Sequence, residues 1–488
     1  GTVIDSNVNV NLNGEGSFWT GNTKAEWNNG NEGKPDADKM QVSHMTLQVE
    51  NGAQWNPTSV KEVGNNSASA GSQAVALNSL KLNNGVVNLD SDKLGTNSPV
   101  KVEKISGNGT ITTNSLDNKL VIDEKVAGTK LKVEGSGEIG DKILAGKATL
   151  EELAGTAKVG DKTASDEVGT QDGIIAGKMS AKVGDDGKIV ASTVKRAIQQ
   201  HNQAVSSMAN LSLMTWRQEN NDMNKRLGEV RASEGSQGIW ARMARGQSKY
   251  GQQGIKNQYN YYQLGYDSKI SDDWILGGAF TYTDGDSNYT NGSGTNKHTG
   301  FAVYGSNLRD DGSFIDLIAK YAHMKNDFDV NGGVGSGDYS TNGLSFSAEY
   351  GKRFHQEGYW IEPQAELTYG RVSSADFTTK NGASVHQDSM DSLVGRLGFS
   401  LGKDIKQGNV YVRASYLYDF QGDTSVTMSK GGAATSFKTD LGGGWWEFGV
   451  GTNLDLGHDT HFYLDVETTA GGDVDTPWQW NAGVRYSF

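Results

Sequence analysis

Glu349, Glu362, Glu366 and Glu447 recur at alternating positions of strand-like runs, and Arg242, Arg353, Arg396, Arg413 and Arg485 hold equivalent places in neighbouring runs. Carboxylates placed this way can accept or donate protons where water is scarce. They can equally serve to neutralise the arginines, because a charge removed from water must be paired. Other chemistry is thin. No GDSG-type nucleophile turn, phosphate loop or HExxH pair occurs in the N-terminal stretch, so a protease or NTPase centre is not expected within this chain. His458 and His461 flank an expected turn without a third ligand, which reads as a solvated turn and not a metal site. The run Leu89-Asp90-Ser91-Asp92 is a weak calcium signal, since acidic turns are common. Neither metal nor cofactor is expected.

The acids must be held by the elements that carry them, and from Ser236 to Phe488 those elements read as about twelve amphipathic strands, an even number that suits a closed antiparallel barrel. The last run is the clearest. Trp478, Trp480, Ala482, Val484, Tyr486 and Phe488 fall on one face, and Gln479, Asn481, Gly483, Arg485 and Ser487 on the other. Ile361, Pro363, Ala365, Leu367 and Tyr369 stand likewise against Glu362, Gln364 and Glu366. Leu344, Phe346, Ala348 and Tyr350 stand against Ser345, Ser347 and Glu349. A soluble barrel would bury the apolar face. A sheet of about twelve strands encloses a lumen too wide for side chains alone, so the polar face can line it while the apolar face meets lipid. The four glutamates are therefore expected inside. Tyr259, Tyr261, Tyr262, Trp445, Trp446, Trp478 and Trp480 gather at strand ends as interface girdles do. DGDSNYTNGSGTN and FDVNGGVGSGDYSTN read as long external loops, and SKISDDW and HQEGY as short periplasmic turns.

Ahead of the barrel, residues 191–230 contain no glycine before Gly228 and no proline, so a helix is expected from Ala191 to about Val230. Ala204, Ser206, Ser207, Ala209 and Ser212 keep it slim. At about 1.5 Å per residue it could reach on the order of 60 Å, enough to thread a barrel. From Gly1 to about Gly187 the chain is a series of short β runs such as SLKLNNGVVNL and KLKVEGSGEIG, none able to bury a core alone. Stacked as rungs they share one interior; a β-sandwich is the alternative. The 65 glycines, 5 prolines and absence of cysteine fit many tight turns and rule out disulfides. A net charge of −13 without a basic stripe speaks against a nucleic-acid partner. Mean hydropathy of −0.57 does not exclude a membrane barrel, whose strands average to neutral. No charged and apolar leader opens at Gly1, so any secretion signal is expected to lie outside this stretch.

The order of these zones resembles the type Va autotransporters, and the resemblance covers essentially the whole chain. It implies an all-β fold: a right-handed β-helix-like passenger fragment over residues 1–190, autochaperone-like from about 75 to 190, then a linker helix through the pore within 191–235 and a translocator barrel over 236–488. SLKLNNGVVNLDSD followed by VEKISGNGTITTN resembles the autochaperone region. Asn481, Gly483, Tyr486 and Phe488 in the closing stretch look like the signal read by the barrel assembly machinery. ENNDMNKRLGEVR resembles the linker of serine-protease autotransporters, which is cut inside the barrel by attack of an Asn side chain on its own backbone, aided by barrel carboxylates. Aligned on Asn224-Lys225-Arg226, the cut falls at Asn221-Asp222, with Asn220 one place early. The resemblance further implies export and surface display at the outer membrane, with lipid, assembly machinery and periplasmic chaperones as partners. The passenger would be an adhesin or self-association factor meeting host surfaces or neighbouring cells, or else the stub of a secreted enzyme whose catalytic part lies upstream.

Overall fold

The computed structural model describes residues 7–22, 44–58, 77–90, 99–198, 200–230 and 236–488, without the side chains of 197, 198, 200 and 222–230. The chain divides into two units, residues 1–200 with 430–434, and residues 201–429 with 435–488.

The first unit is a stack of parallel strands closed by antiparallel ones. Asn7–Asn13, His44–Glu50, Leu77–Leu89 and Val100–Thr113 pair in parallel succession. Because equivalent residues of successive rungs stand directly above one another, apolar side chains form columns: Trp55, Val87, Ile111, Val133 and Val168 are register partners in turn, and all are fully buried. Such a column removes from water what no single rung could bury. Close stacking constrains the backbone too. Gly107 has φ +90°, and a Cβ there would lie 1.8 Å from the Leu82 carbonyl oxygen. The stack ends where Glu167–Thr170, Ala176–Lys182 and Lys195–Ile198 pair antiparallel. This end strand explains why the helix does not begin at Ala191 as its composition suggests. Residues 195–198 are taken by the sheet, and the helix runs from Gln203 to Val230. Its 28 residues span about 42 Å, shorter than expected but still longer than a bilayer core.

The second unit contains a closed barrel. In chain order its strands are Gln237–Tyr250, Ile255–Lys269, Trp274–Tyr289, Gly292–Leu308, Ser313–Val330, Ser336–Lys352, Tyr359–Val372, Met390–Ile405, Gly408–Asp419, Gly443–Asp455, Thr460–Ala470 and Val474–Ser487. Each is antiparallel to its neighbours, and the last pairs with the first through Tyr486↔Ile239 and Asn481↔Ala244. The alternation read from the sequence is the alternation observed. Asn481, Gly483, Arg485 and Ser487 are buried on the lumen side, whereas Val484, Tyr486 and Phe488 are exposed outward. Leu264, Phe280, Phe301, Phe346, Leu397 and Val450 extend that outward apolar face around the barrel. Among the described residues no helix is long and apolar enough to cross a membrane; the strands do so.

Two expectations need correction. DGDSNYTNGSGTN and FDVNGGVGSGDYSTN are mostly strand, leaving only Thr290–Asn291 and 331–335 as turns. Alternation continues beyond the membrane there because inward groups still find partners, such as the Ser287 hydroxyl donating to the Gly294 carbonyl. The long connections are instead 373–389 and 420–442, whose segments Ala375–Thr378, Ser384–Gln387, Asp423–Lys430 and Ala433–Asp440 form a separate four-stranded sheet. Of the proposed girdle aromatics, Tyr259 and Tyr261 are buried and stacked on one another, and Tyr259 donates to Gln479. Parity decides this: they share the inward face with Asn257, so position near a strand end does not make a residue interfacial.

Candidate functional site

The lumen is filled by the helix Gln203–Val230, and the fit is polar on both sides. Ser206, Ser207, Asn210, Ser212, Thr215, Glu219 and Asn220 are buried alongside Ala204, Val205, Met208 and Ala209. A helix of mixed polarity suits a polar wall, where each buried group needs a partner. Near the helix start, Asn210 donates to Gln253 in the turn after the first strand (2.7 Å) and accepts from Thr424 (2.5 Å). That turn lies at the opposite end of the barrel from Phe488, so the helix enters at the loop end and runs towards the end where both chain termini of the barrel meet.

Contacts then tighten along one helical turn and a half. Trp216 lies over Gly343, where any Cβ would come within 2.7 Å of its ring, and donates to the Leu344 carbonyl. Arg217 donates to Asp419 at 3.0 Å and to the Leu441 carbonyl at 2.8 Å, with its guanidinium 4.8 Å from the Trp445 ring centroid. Gln218 donates to Gln479 at 3.0 Å. Glu219 is held by His298 Nδ1 at 2.5 Å and Lys320 Nζ at 3.0 Å, all three groups being at most 3% exposed. Asn220 accepts from Ser345 at 3.0 Å, and Asn221 donates its Nδ2 proton to Glu447 Oε2 at 2.8 Å.

The four expected acids all face the lumen and are buried. Glu349 and Glu366 both accept from Arg396, at 3.1 and 3.0 Å. Glu362 accepts from Arg353 at 2.8 Å and from Gln364 at 2.6 Å. Glu447 touches the helix at Asn221. Glu366 lines, with Arg217, Asn220 and Asn221, a cavity of about 20 Å³, room for about one water. The side chain of Asp222 lies outside the described residues. Arg413 pairs with Asp465 and Glu467, Arg485 with Asp267, and Arg242 bonds Gln263 and Asn481. Asn481 also donates to Asp465 at 2.5 Å, and Gly483 leaves room for the Tyr463 ring, which a Cβ would approach to 2.1 Å. Tyr486 and Phe488 stack outward with centroids 5.8 Å apart.

His458 and His461 share no metal cluster; no group of three His, Asp or Glu able to hold an ion occurs among the described residues. Asp90 accepts from Asn114, while Ser91 and Asp92 lie outside the described residues. The buried helix anchor of Glu219 with His298 and Lys320 escaped sequence reasoning. Its signal was present: Lys320 and His298 share the inward parity of their strands, and a lysine turned away from water requires an anion.

The family profile for the autotransporter β-domain matches residues 239–467. Pertactin autotransporter from Bordetella parapertussis is 33% identical over 294 residues, 57% of this chain and 32% of the relative. The serine protease Pet autotransporter from Escherichia coli is 34% identical over 282 residues, 55% of this chain and 22% of the relative. The chain thus spans about a third or less of the length of these relatives. Among solved structures, the translocator domain of autotransporter NalP from Neisseria meningitidis matches with a TM-score of 0.47 at 13% identity, covering 58% of this chain and 98% of that one. The β-domain of the Bordetella autotransporter BrkA matches with a TM-score of 0.43 at 26% identity, covering 52% of this chain and 100% of that one. With the closed twelve-stranded barrel and its lumenal helix beside this family match, residues 239–467 are an autotransporter β-domain, a barrel of the outer membrane.

Proposed function

We propose that the barrel exports and displays the β-solenoid attached to its own N-terminus, and that the helix remains in the lumen as a plug after export. One observation carries this reading. The helix enters the lumen at the loop end and leads into the first strand at the other end, the path of a chain whose N-terminal part has already passed outward. The passenger serves adhesion or self-association, because a stack of rungs offers a long polar ladder to a partner. Assembly proceeds through recognition of the last strand at Asn481, Gly483, Tyr486 and Phe488 by the barrel assembly machinery, with periplasmic chaperones holding the chain beforehand. The alternative passenger role, the stub of a secreted enzyme, requires a catalytic motif upstream of Gly1.

Whole-cell protease accessibility tests export, with the full chain expressed behind a signal peptide in a Gram-negative host and both ends blotted. Loss of the N-terminal epitope with survival of a heat-modifiable C-terminal fragment is expected; complete protection in intact cells would refute export.

A second reading is favoured by the bond from Asn221 to Glu447: the linker cuts itself between Asn221 and Asp222. Asn221 Nδ2 attacks its own backbone carbonyl carbon, Glu447 takes the Nδ2 proton, and the C–N bond to Asp222 breaks as that nitrogen is protonated. A C-terminal succinimide and a new N-terminus at Asp222 result. N-terminal sequencing of the barrel fragment checks this. Glu447→Gln should slow the cut by roughly 10²–10⁴-fold, and an unchanged rate would remove Glu447 from the reaction.

A further inference from the structure

The outward face of the fourth and fifth barrel strands is layered in a way that membrane spanning alone does not require. From the end bearing Phe488 towards the loop end, outward register pairs are Val303↔Ala319, Phe301↔Tyr321, Thr299↔His323, Lys297↔Lys325, Thr295↔Asp327 and Ser293↔Asp329. Apolar and aromatic pairs give way to a pair of lysines, and the lysines to hydroxyls and carboxylates. Phe301, Val303 and Tyr321 are exposed outward, and the Phe301 and Tyr321 rings are 5.8 Å apart.

Like charges directly opposite across an antiparallel ladder repel. Lys297 and Lys325 are both exposed, and neither ammonium group has a hydrogen-bond or ion-pair partner among the described residues. The same row continues through Asp284 and Asn260 to Arg245, so it holds three cations and one carboxylate. Its height matters as much as its charge. Along strand four, Lys297 stands eleven residues from Leu308 at the opposite end of the strand. At about 3.4 Å per residue and a tilt of about 40°, that is about 28 Å along the barrel axis. The apolar band of such barrels is about 25 Å tall. Lys297 and Lys325 therefore stand just beyond the hydrocarbon at the loop end, at headgroup level.

We infer that Lys297 and Lys325 form a docking point for the phosphate of a phosphorylated glycolipid, the lipid A type of the surface leaflet. One phosphate bridges the two ammonium groups and cancels their repulsion, while acyl chains of the same molecule lie along Tyr321, Phe301 and Val303. A protein partner does not fit as well, because the apolar column under the lysines lies within the bilayer. Assigning the loop end to the surface leaflet rests on the export reading proposed above.

The test uses the full chain purified in detergent and freed of lipid, titrated with diphosphorylated lipid A, phosphatidylglycerol and inorganic phosphate, with bound lipid read by native mass spectrometry. Each lysine removed should weaken lipid A binding about fivefold, so that K297Q/K325Q binds about 25-fold more weakly. K297R/K325R should stay within about threefold of the parent, because the arginines keep both charges. K269Q, at the opposite end of the barrel, should bind as the parent does. Equal lipid A binding by K297Q/K325Q and the parent would overturn the proposal, as would phosphatidylglycerol or inorganic phosphate binding as tightly as lipid A. Heat modifiability shows whether the double variant folds, and if it does not, K297Q and K325Q alone carry the same test. Intact lipid A binding together with a passenger fully protected in whole cells would sink export and leave the lipid site standing.

Discussion

Glu219→Ala takes the anion from a site where the two groups that face it cannot reach water. Lys320 and His298 are 2% and 1% exposed, and Lys320 also sits 4.8 Å from the Trp216 ring centroid. Removing one member of a buried charged cluster costs about 3–5 kcal/mol, mostly through the charge left behind. The penalty falls on the docked helix, because a helix withdrawn from the lumen returns Lys320 to water. The undocked population should therefore rise by about 10²–10³·⁵-fold, at 1.4 kcal/mol per factor of ten. Single-channel recording in planar bilayers reads that population as open probability. Glu219→Leu combined with Lys320→Met should recover much of the loss, since replacing a buried pair by apolar groups is often close to neutral. A folded Glu219→Ala barrel with open probability within about threefold of the parent would refute the reasoning. It would mean that Arg217 with Asp419 and Asn221 with Glu447 hold the plug unaided.

Gly483→Ala should destabilise the barrel by about 1–3 kcal/mol, because its Cβ would meet the Tyr463 ring and force that ring off its position; heat-modifiability midpoints check this, and Tyr463→Ala should partly rescue it. Asp141→Ala strips the acceptor from the backbone N–H groups of Ile174, Ile175 and Ala176, at 2.9, 2.9 and 2.6 Å. Limited proteolysis of the N-terminal unit should report a loss of about 3 kcal/mol. Burial raises the Asp166 carboxyl, but hydrogen bonds from Lys125, the Leu131 amide and Lys130 together hold it below its ordinary value. Its stabilisation is thus fully present above the ordinary carboxylate range and fades as pH falls through the lowered value. Asp166→Asn should cost about 1 kcal/mol at pH 7, allowing for partial exposure, and the gap to the parent should begin to narrow below about pH 4 in hydrogen exchange at Leu131 and vanish only below the lowered value.

Period-two alternation alone determined that residues 236–488 form a barrel and which way most of its side chains face, because one strand register sends a whole set of residues to one side. It placed Glu349, Glu362, Glu366 and Glu447 in the lumen, and it sent Tyr486 and Phe488 outward. Composition likewise marked a slim helix ahead of the barrel, since Gly and Pro are missing there and small residues are frequent. The partnership of those residues was not legible. Glu219 meets Lys320 across 101 positions and His298 across 79, and such contacts depend on the helix's depth and rotation within the lumen, which no local pattern encodes. The helix start was misjudged for the same reason, since pairing of 195–198 with Ala176–Lys182 outweighs their helical propensity. The four-stranded sheet was missed because its strands have four to eight residues and pair between two separate loops. Only the closed barrel brings those loops together, and only the tertiary structure decides which acid reaches Asn221.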